Sequence, residues 1–390
     1  MTKRLVWLIK LISVITLASC VSALAEQLVI EKQVQLSPGH HVMPYNVTRT
    51  SNGDLIVFGS NDQTDYRPWA ARVTAQGQQR WEFLEGSPNG WEDRSVSGQR
   101  FNSALEMPDQ STLLCGMVNP NREPTVVLDQ ISADGKLLTE RLIKPLDVRG
   151  FPNNVPADQL HFGDVQCLQT KEGMFLLGGV GTSGFIGSVA TGWLAQLDEH
   201  FNVKSQKFGD QFFGGPFMQA SDGSLVSITS SFKKESGSRL WSLMRVTLSG
   251  EIIARHPLEY DDGSDYLIYP AVPTSGVRLA LFRDTLHTEI VSFDDQLRGP
   301  RTVVKMHNAG VKKCIELPDG SIAIFGSRFA RGATAAVTRV YPDGSYKVFV
   351  VEPVHQSAFY YDAVATGNKS EFVATRWIGI QPVLEWVVFK

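Results

Sequence analysis

The sequence predicts an all-β chain: a seven-bladed β-propeller of four-stranded antiparallel blades, with the last blade closed by the N-terminal strand. Three observations carry this. Short apolar or mixed runs recur in pairs joined by X-Gly dipeptides, the sequence mark of a hairpin turn, where glycine takes positive φ without a Cβ penalty. The pairs repeat roughly every 50 residues, a propeller period. The last unit has three strand-like runs and stops at Lys390, while Leu28–Leu36 stands before the first unit without a partner. Using that run as the missing fourth strand removes an exposed sheet edge.

The elements follow in order. Residues 1–25 read as an export signal, with Lys3, Arg4 and Lys10 ahead of or within a short apolar stretch. Two exits compete. Ala23-Leu24-Ala25 is a small-x-small cleavage site, and Leu17-Ala18-Ser19-Cys20 has the form of a lipobox, in which Cys20 is lipidated. Either way the chain is exported, to be soluble in the periplasm or tethered to the outer membrane. Residues 26–390 then form one propeller domain. Its clearest first hairpins turn at Asn52-Gly53, Glu172-Gly173, Asp222-Gly223 and Asp319-Gly320; weaker copies use Ser275-Gly276 and Gly367-Asn368. One copy, Asp109-Gln110, has lost its glycine. Second hairpins turn at Gln76-Gly77, Asp134-Gly135, Ser249-Gly250 and Asp343-Gly344. Cys115, Cys167 and Cys314 each lie in an apolar run and read as core thiols, with a Cys115–Cys167 bridge the alternative.

The repeat resembles those of exported bacterial β-propeller repeat proteins. The matching pieces are Asp222-Gly223-Ser224-Leu225, Asp319-Gly320-Ser321-Ile322 and Asn52-Gly53-Asp54-Leu55, with Trp69, Trp193, Trp241 and Trp386 at or inside third strands. The likeness is one of blade and superfamily, and implies the propeller fold.

Composition excludes several classes. Charged residues are 20% and hydrophobic residues 43%, a globular balance. There is no basic run, so no nucleic-acid partner is expected. No later apolar stretch is long enough to span a membrane. No Gly-x-Ser-x-Gly, His-Glu-x-x-His or Cys-x-x-Cys occurs, and no cofactor or metal is expected. Gly179-x-Gly181-x-x-Gly184 lacks the helix of a dinucleotide site and reads as a loop. Asp261-Asp262-Gly263-Ser264-Asp265 reads as a solvated loop.

The repeat sorts connections onto two ends. Tight X-Gly turns occupy one. The other receives the long links Gly86–Arg100 and Pro145–Leu160, between one unit's last strand and the next unit's first. Long loops on a rigid scaffold are where binding concentrates. These two carry the candidate partner-binding residues Trp91, Asp93, Arg94, Arg149 and Phe151, and Tyr66, Arg67, Tyr360, Tyr361 and Asp362 can join them. His41, His161, His307 and His355 each precede a first strand and are candidates for the channel mouth. The functional expectation is an exported, non-catalytic, monomeric protein binding a protein or glycan partner. The alternative is a hydrolase or lyase acting on a glycan or ester with the histidines at the mouth.

Overall fold

The computed structural model describes residues 26–37, 42–61, 67–85, 100–118, 125–144, 160–162, 165–182, 190–209, 217–220, 222–232, 239–258, 269–271, 277–284, 287–294, 296–307, 309–329, 333–351, 359–368, 370–378 and 381–390. Among them all regular structure is strand. After β1 (Leu28–Gln35) comes a sheet of β2 (Val42–Arg49), β3 (Leu55–Asn61), β4 (Arg67–Val73) and β5 (Gln79–Leu84). The next holds β6 (Arg100–Glu106), β7 (Thr112–Val118), β8 (Thr125–Ile131) and β9 (Leu137–Ile143). A third holds β10 (Leu160–Phe162), β11 (Gln166–Thr170), β12 (Gly173–Thr182), β13 (Ala190–Leu197) and β14 (Val203–Phe208). Then come β15 (Phe217–Gln219), β16 (Leu225–Phe232), β17 (Arg239–Val246) and β18 (Ile252–Leu258), followed by β19 (Tyr269–Ala271), β20 (Val277–Asp284), β21 (His287–Phe293) and β22 (Arg301–His307). The sixth sheet is β23 (Ala309–Glu316), β24 (Ile322–Phe329), β25 (Ala333–Val340) and β26 (Tyr346–Val350). The last is β27 (Tyr360–Ala365), β28 (Glu371–Ile378) and β29 (Gln381–Phe389), with β1 on its outer edge.

The expectation of seven four-stranded blades is therefore corrected: the described residues form six such blades, not seven. The remaining sheet, β10–β14, is five-stranded, because both β10 and β11 pair with β12. The β10 pairing ends at Phe162↔Val180 and the β11 pairing starts at Gln166↔Leu177, with the glycines Gly178 and Gly179 of β12 between the two. Two glycines give β12 no side chains to pack there, and its first-strand partner is two short strands in place of one. The closure by the N-terminal strand is present as expected. β1 runs antiparallel to β29 from Leu28↔Phe389 to Gln35↔Val383.

Sheet contacts show which strands lie at the centre. β2 touches β27 and β6, β6 touches β11, and β23 touches β19 and β27. First strands thus line the middle. Second and third strands are sandwiched between neighbouring sheets and are buried on both faces, as in β3 and β28. Fourth strands such as β9 and β18 are largely exposed. Apolar clusters fill the gaps between sheets. One joins Ile56, Phe58 and Ala70 to Phe101, Leu114 and Val127.

The turns form as their residues dictate. In Asp319-Gly320-Ser321, Gly320 takes φ 78° while Asp319 Oδ1 accepts from the Ser321 amide at 2.9 Å and hydroxyl at 2.6 Å. Where the glycine is lost, Gln110 itself takes φ 65°. The three described cysteines are free and buried, as core thiols should be. Burial pushes the Cys314 thiol up to about 12.

Candidate functional site

Four inner strands carry one extra residue at the same place. The register skips between Pro44 and Asn46, Phe101 and Ser103, Val311 and Lys313, and Tyr360 and Asp362. The unpaired residues are Tyr45, Asn102, Lys312 and Tyr361. A bulge of this kind turns a side chain away from the pleat's alternation. Three of the facing second strands have a glycine there: Gly59, Gly116 and Gly326. A Cβ on these would lie 1.9 Å, 2.1 Å and 1.9 Å from the carbonyl oxygens of Met43, Arg100 and Gly310. The glycine makes room for the bulge, and the bulge re-aims its residue.

The re-aimed residues meet their neighbours across the sheets. Lys312 Nζ stands 5.9 Å from the Phe359 ring centre. Phe359 lies 4.5 Å from Tyr361, which makes edge contacts with Tyr45 at 5.7 Å and Trp377 at 6.3 Å. Arg100 lies over Tyr45 at 5.4 Å and donates through Nε to Asn102 Oδ1 at 2.8 Å. A continuous arc of aromatic and cationic groups therefore crosses β23, β27, β2 and β6, near the ends where these strands begin. All six of its ring and cation residues are half-buried. Burial lowers the Lys312 ammonium below its ordinary value. Two donors in the arc, Asn102 Nδ2 and Trp377 Nε1, are buried and have no acceptor among the described residues. Below it, Asp362 ties three inner strands together. It accepts from the Val47 amide at 3.0 Å and pairs with Lys313 at 3.0 Å.

The sequence-predicted residues fall differently. Trp91, Asp93, Arg94, Arg149, Phe151, His41, His355, Tyr66 and Cys20 lie outside the described residues, as do residues 1–25, Gly184 and Asp261–Asp265. His161 lies on the short inner strand β10. His307 ends the outer strand β22, is exposed, and faces His287 in register. Of the additional residues, Tyr361 joins the arc and Asp362 supports it. Tyr360 instead points into the core, fully buried. The sequence reading missed the bulges. Their signal was available in the glycine that recurs five residues into the second strands.

Neither a known protein family nor a curated relative matches the chain. Among solved structures it is similar to a protein of unknown function from Dyadobacter fermentans, at 10% identity and TM-score 0.49, over 93% of this chain and 99% of that one. It is similar to Sqt1 from Chaetomium thermophilum at 11% identity and TM-score 0.48, over 94% and 100%. A puromycin hydrolase gives 12% identity and TM-score 0.54 over 88% of this chain; the chain spans about half of that protein, 52%. The last likeness shows the fold alone. The class is a β-propeller. No helix among the described residues is long and apolar enough to cross a membrane.

Proposed function

We propose that the chain is an exported, non-catalytic β-propeller, related to bacterial exported repeat proteins, that binds a macromolecular partner at the end of the ring where the inner strands begin. The observation that carries this is the half-buried arc Lys312–Phe359–Tyr361–Tyr45–Arg100. Tyrosine, tryptophan and arginine are the residues that anchor interfaces. Two cations over ring faces, with two buried amide and indole donors, suit an acceptor-rich, anionic surface. That favours a protein segment bearing carboxylates over a neutral glycan. Trp91, Asp93, Arg94, Arg149 and Phe151 belong in sequence to the links between β5 and β6 and between β9 and β10, and we assign them to the same surface. The signal at 1–25 directs the chain to the periplasm, with or without lipid on Cys20, where it acts as a monomer. The puromycin hydrolase likeness carries no activity across, since it covers about half of that chain.

Affinity capture from a periplasmic extract tests the reading. The chain is expected to retain one stoichiometric partner, and Tyr361→Ala with Arg100→Ala should weaken it by about 2–4 kcal/mol with little change in Tm. Turnover of a glycan or ester library by the purified chain, or unchanged capture by the double variant, overturns it.

A further inference from the structure

Away from the arc, three carboxylates converge between two blades. Glu85 follows the outer strand β5 of the first blade; its amide donates to the Pro68 carbonyl at 2.9 Å. Asp129 lies on β8 in the next blade, and Glu140 on β9 is its register partner. One carboxylate oxygen from each lies within 4.8 Å of the other two. Glu85 is 3% exposed and Asp129 0%, whereas Glu140 reaches solvent.

Asp129 is the anomaly. Both of its carboxylate oxygens are buried, and among the described residues neither has a hydrogen-bond donor. Leaving a charged group so is costly, and native interiors pair it or coordinate it. The last sheet shows the ordinary solution. Glu385, also on a third strand and 1% exposed, is held by Arg376 and the Tyr360 hydroxyl. At Asp129 the facing groups are instead two further carboxylates. Arg67 donates through its guanidinium to the Glu85 main-chain carbonyl at 3.4 Å, and its charge is felt at Glu85.

We propose that Glu85, Asp129 and Glu140 bind one hard divalent cation, best matched by calcium, that fastens the first blade to the second. The donor set is all oxygen, which selects calcium or magnesium over softer metals. Three carboxylates supply up to six oxygens, and the exposed side at Glu140 leaves room for water. Calcium takes six to eight oxygens in flexible geometry, which three carboxylates completed by water meet more readily than magnesium's stricter octahedron. The same surroundings, burial first and then the Glu85 carboxyl, push Asp129 up to about 10, so the cluster draws positive charge in some form. A shared proton is the competitor to the ion.

Calorimetric titration of EDTA-treated chain with calcium chloride at neutral pH decides between them. One ion per chain is expected, with magnesium weaker, and Asp129→Asn should reduce calcium affinity at least tenfold. Asp198→Asn, on an exposed turn, should leave it unchanged. Thermal unfolding provides the second readout: calcium should raise the Tm of the wild type and not that of Asp129→Asn. The proposal fails if neither cation binds saturably, or if wild type and Asp129→Asn bind alike. It also fails if Asp129→Asn in EDTA raises Tm while calcium does nothing to the wild type, since the pair then holds a proton.

Discussion

Arg376 Nη1 donates to Glu385 Oε1 across 3.0 Å, with both side chains 1% exposed. The pair joins β28 to β29 inside the sheet that closes the ring. Glu385 also accepts from the Tyr360 hydroxyl at 2.7 Å, so both its oxygens are engaged. Burial, with the Glu385 charge next, pushes that phenol well above its ordinary value. Arg376 stands opposite Tyr360, at the position where three other blades carry the bulge glycine. Removing one member of a buried pair strands the other charge at a cost of about 3–5 kcal/mol. Arg376→Leu should therefore lose roughly that much in urea unfolding. Combining it with Glu385→Leu and Tyr360→Phe should recover most of the loss. Equal losses in the single and triple variants would show that packing, not charge, holds this corner.

Gly326 tests the link between glycine and bulge. An added Cβ meets the Gly310 carbonyl oxygen at 1.9 Å, and backbone cannot step aside as a side-chain tip can. Gly326→Ala should destabilise by about 1–3 kcal/mol, as overpacking does. Gly223→Ala, which has open space but φ 87°, reports conformational strain alone. If the arc depends on the bulge, Gly326→Ala should also alter partner binding through Lys312, and Gly223→Ala should not.

The turn aspartates give a pH signature. Asp222 is held at about 2, below its ordinary 3.8, by the Ser224 hydroxyl first, then the Ser224 amide and Arg245. A depressed carboxylate stabilises the fold above the unfolded value and loses that contribution as pH falls through the folded one. Asp222→Asn should be less stable than wild type at pH 7, by an amount that solvent keeps small because the side chain is half exposed. The gap should close between about pH 4 and pH 2. Urea midpoints at several pH values measure it, and a gap that widens on acidification contradicts the assignment.

Deleting residues 26–36 should open β29 as an edge. Its buried third-strand face, including Val383, Leu384 and Val387, would lose its flank. Such an edge pairs with other chains. Size-exclusion chromatography should show aggregates, and a separately added peptide of this sequence should restore the monomer.

What could be read from residues alone follows the range of each interaction. Hairpins were legible because a two-residue signal, Asp-Gly, fixes a turn through φ at one glycine, as at Gly320 and Gly344. The pairing of Leu28–Gln35 with the last sheet was legible by counting strands. The bulges were not read, because one extra residue in β2 or β27 shows directly only against a partner's register; their mark in sequence is the facing glycine of three second strands, which β28 replaces with Arg376. The split of β10 from β11 hid for the same reason. The Glu85–Asp129–Glu140 cluster depends on the register of β8 with β9 and on the placement of two sheets. No short spacing encodes that. The aromatic arc was half visible: Tyr361 stood out as a doublet with Tyr360, but which of the two turns outward is decided by the bulge between them.

The antiparallel seam between β1 and β29 has a kinetic side. It pairs Leu28 with Phe389, two residues near opposite ends of a 390-residue sequence. Every other sheet is assembled from consecutive strands and can form as soon as its own stretch emerges. The final sheet cannot, since its outer strand is made first and its partner last. Closing so long a loop carries the largest entropic cost in the molecule, and non-local pairings of this kind slow folding. Until it closes, β1 waits as an unpaired strand while the rest of the ring is built, and that interval is when the chain is most exposed to mispairing with its own copies.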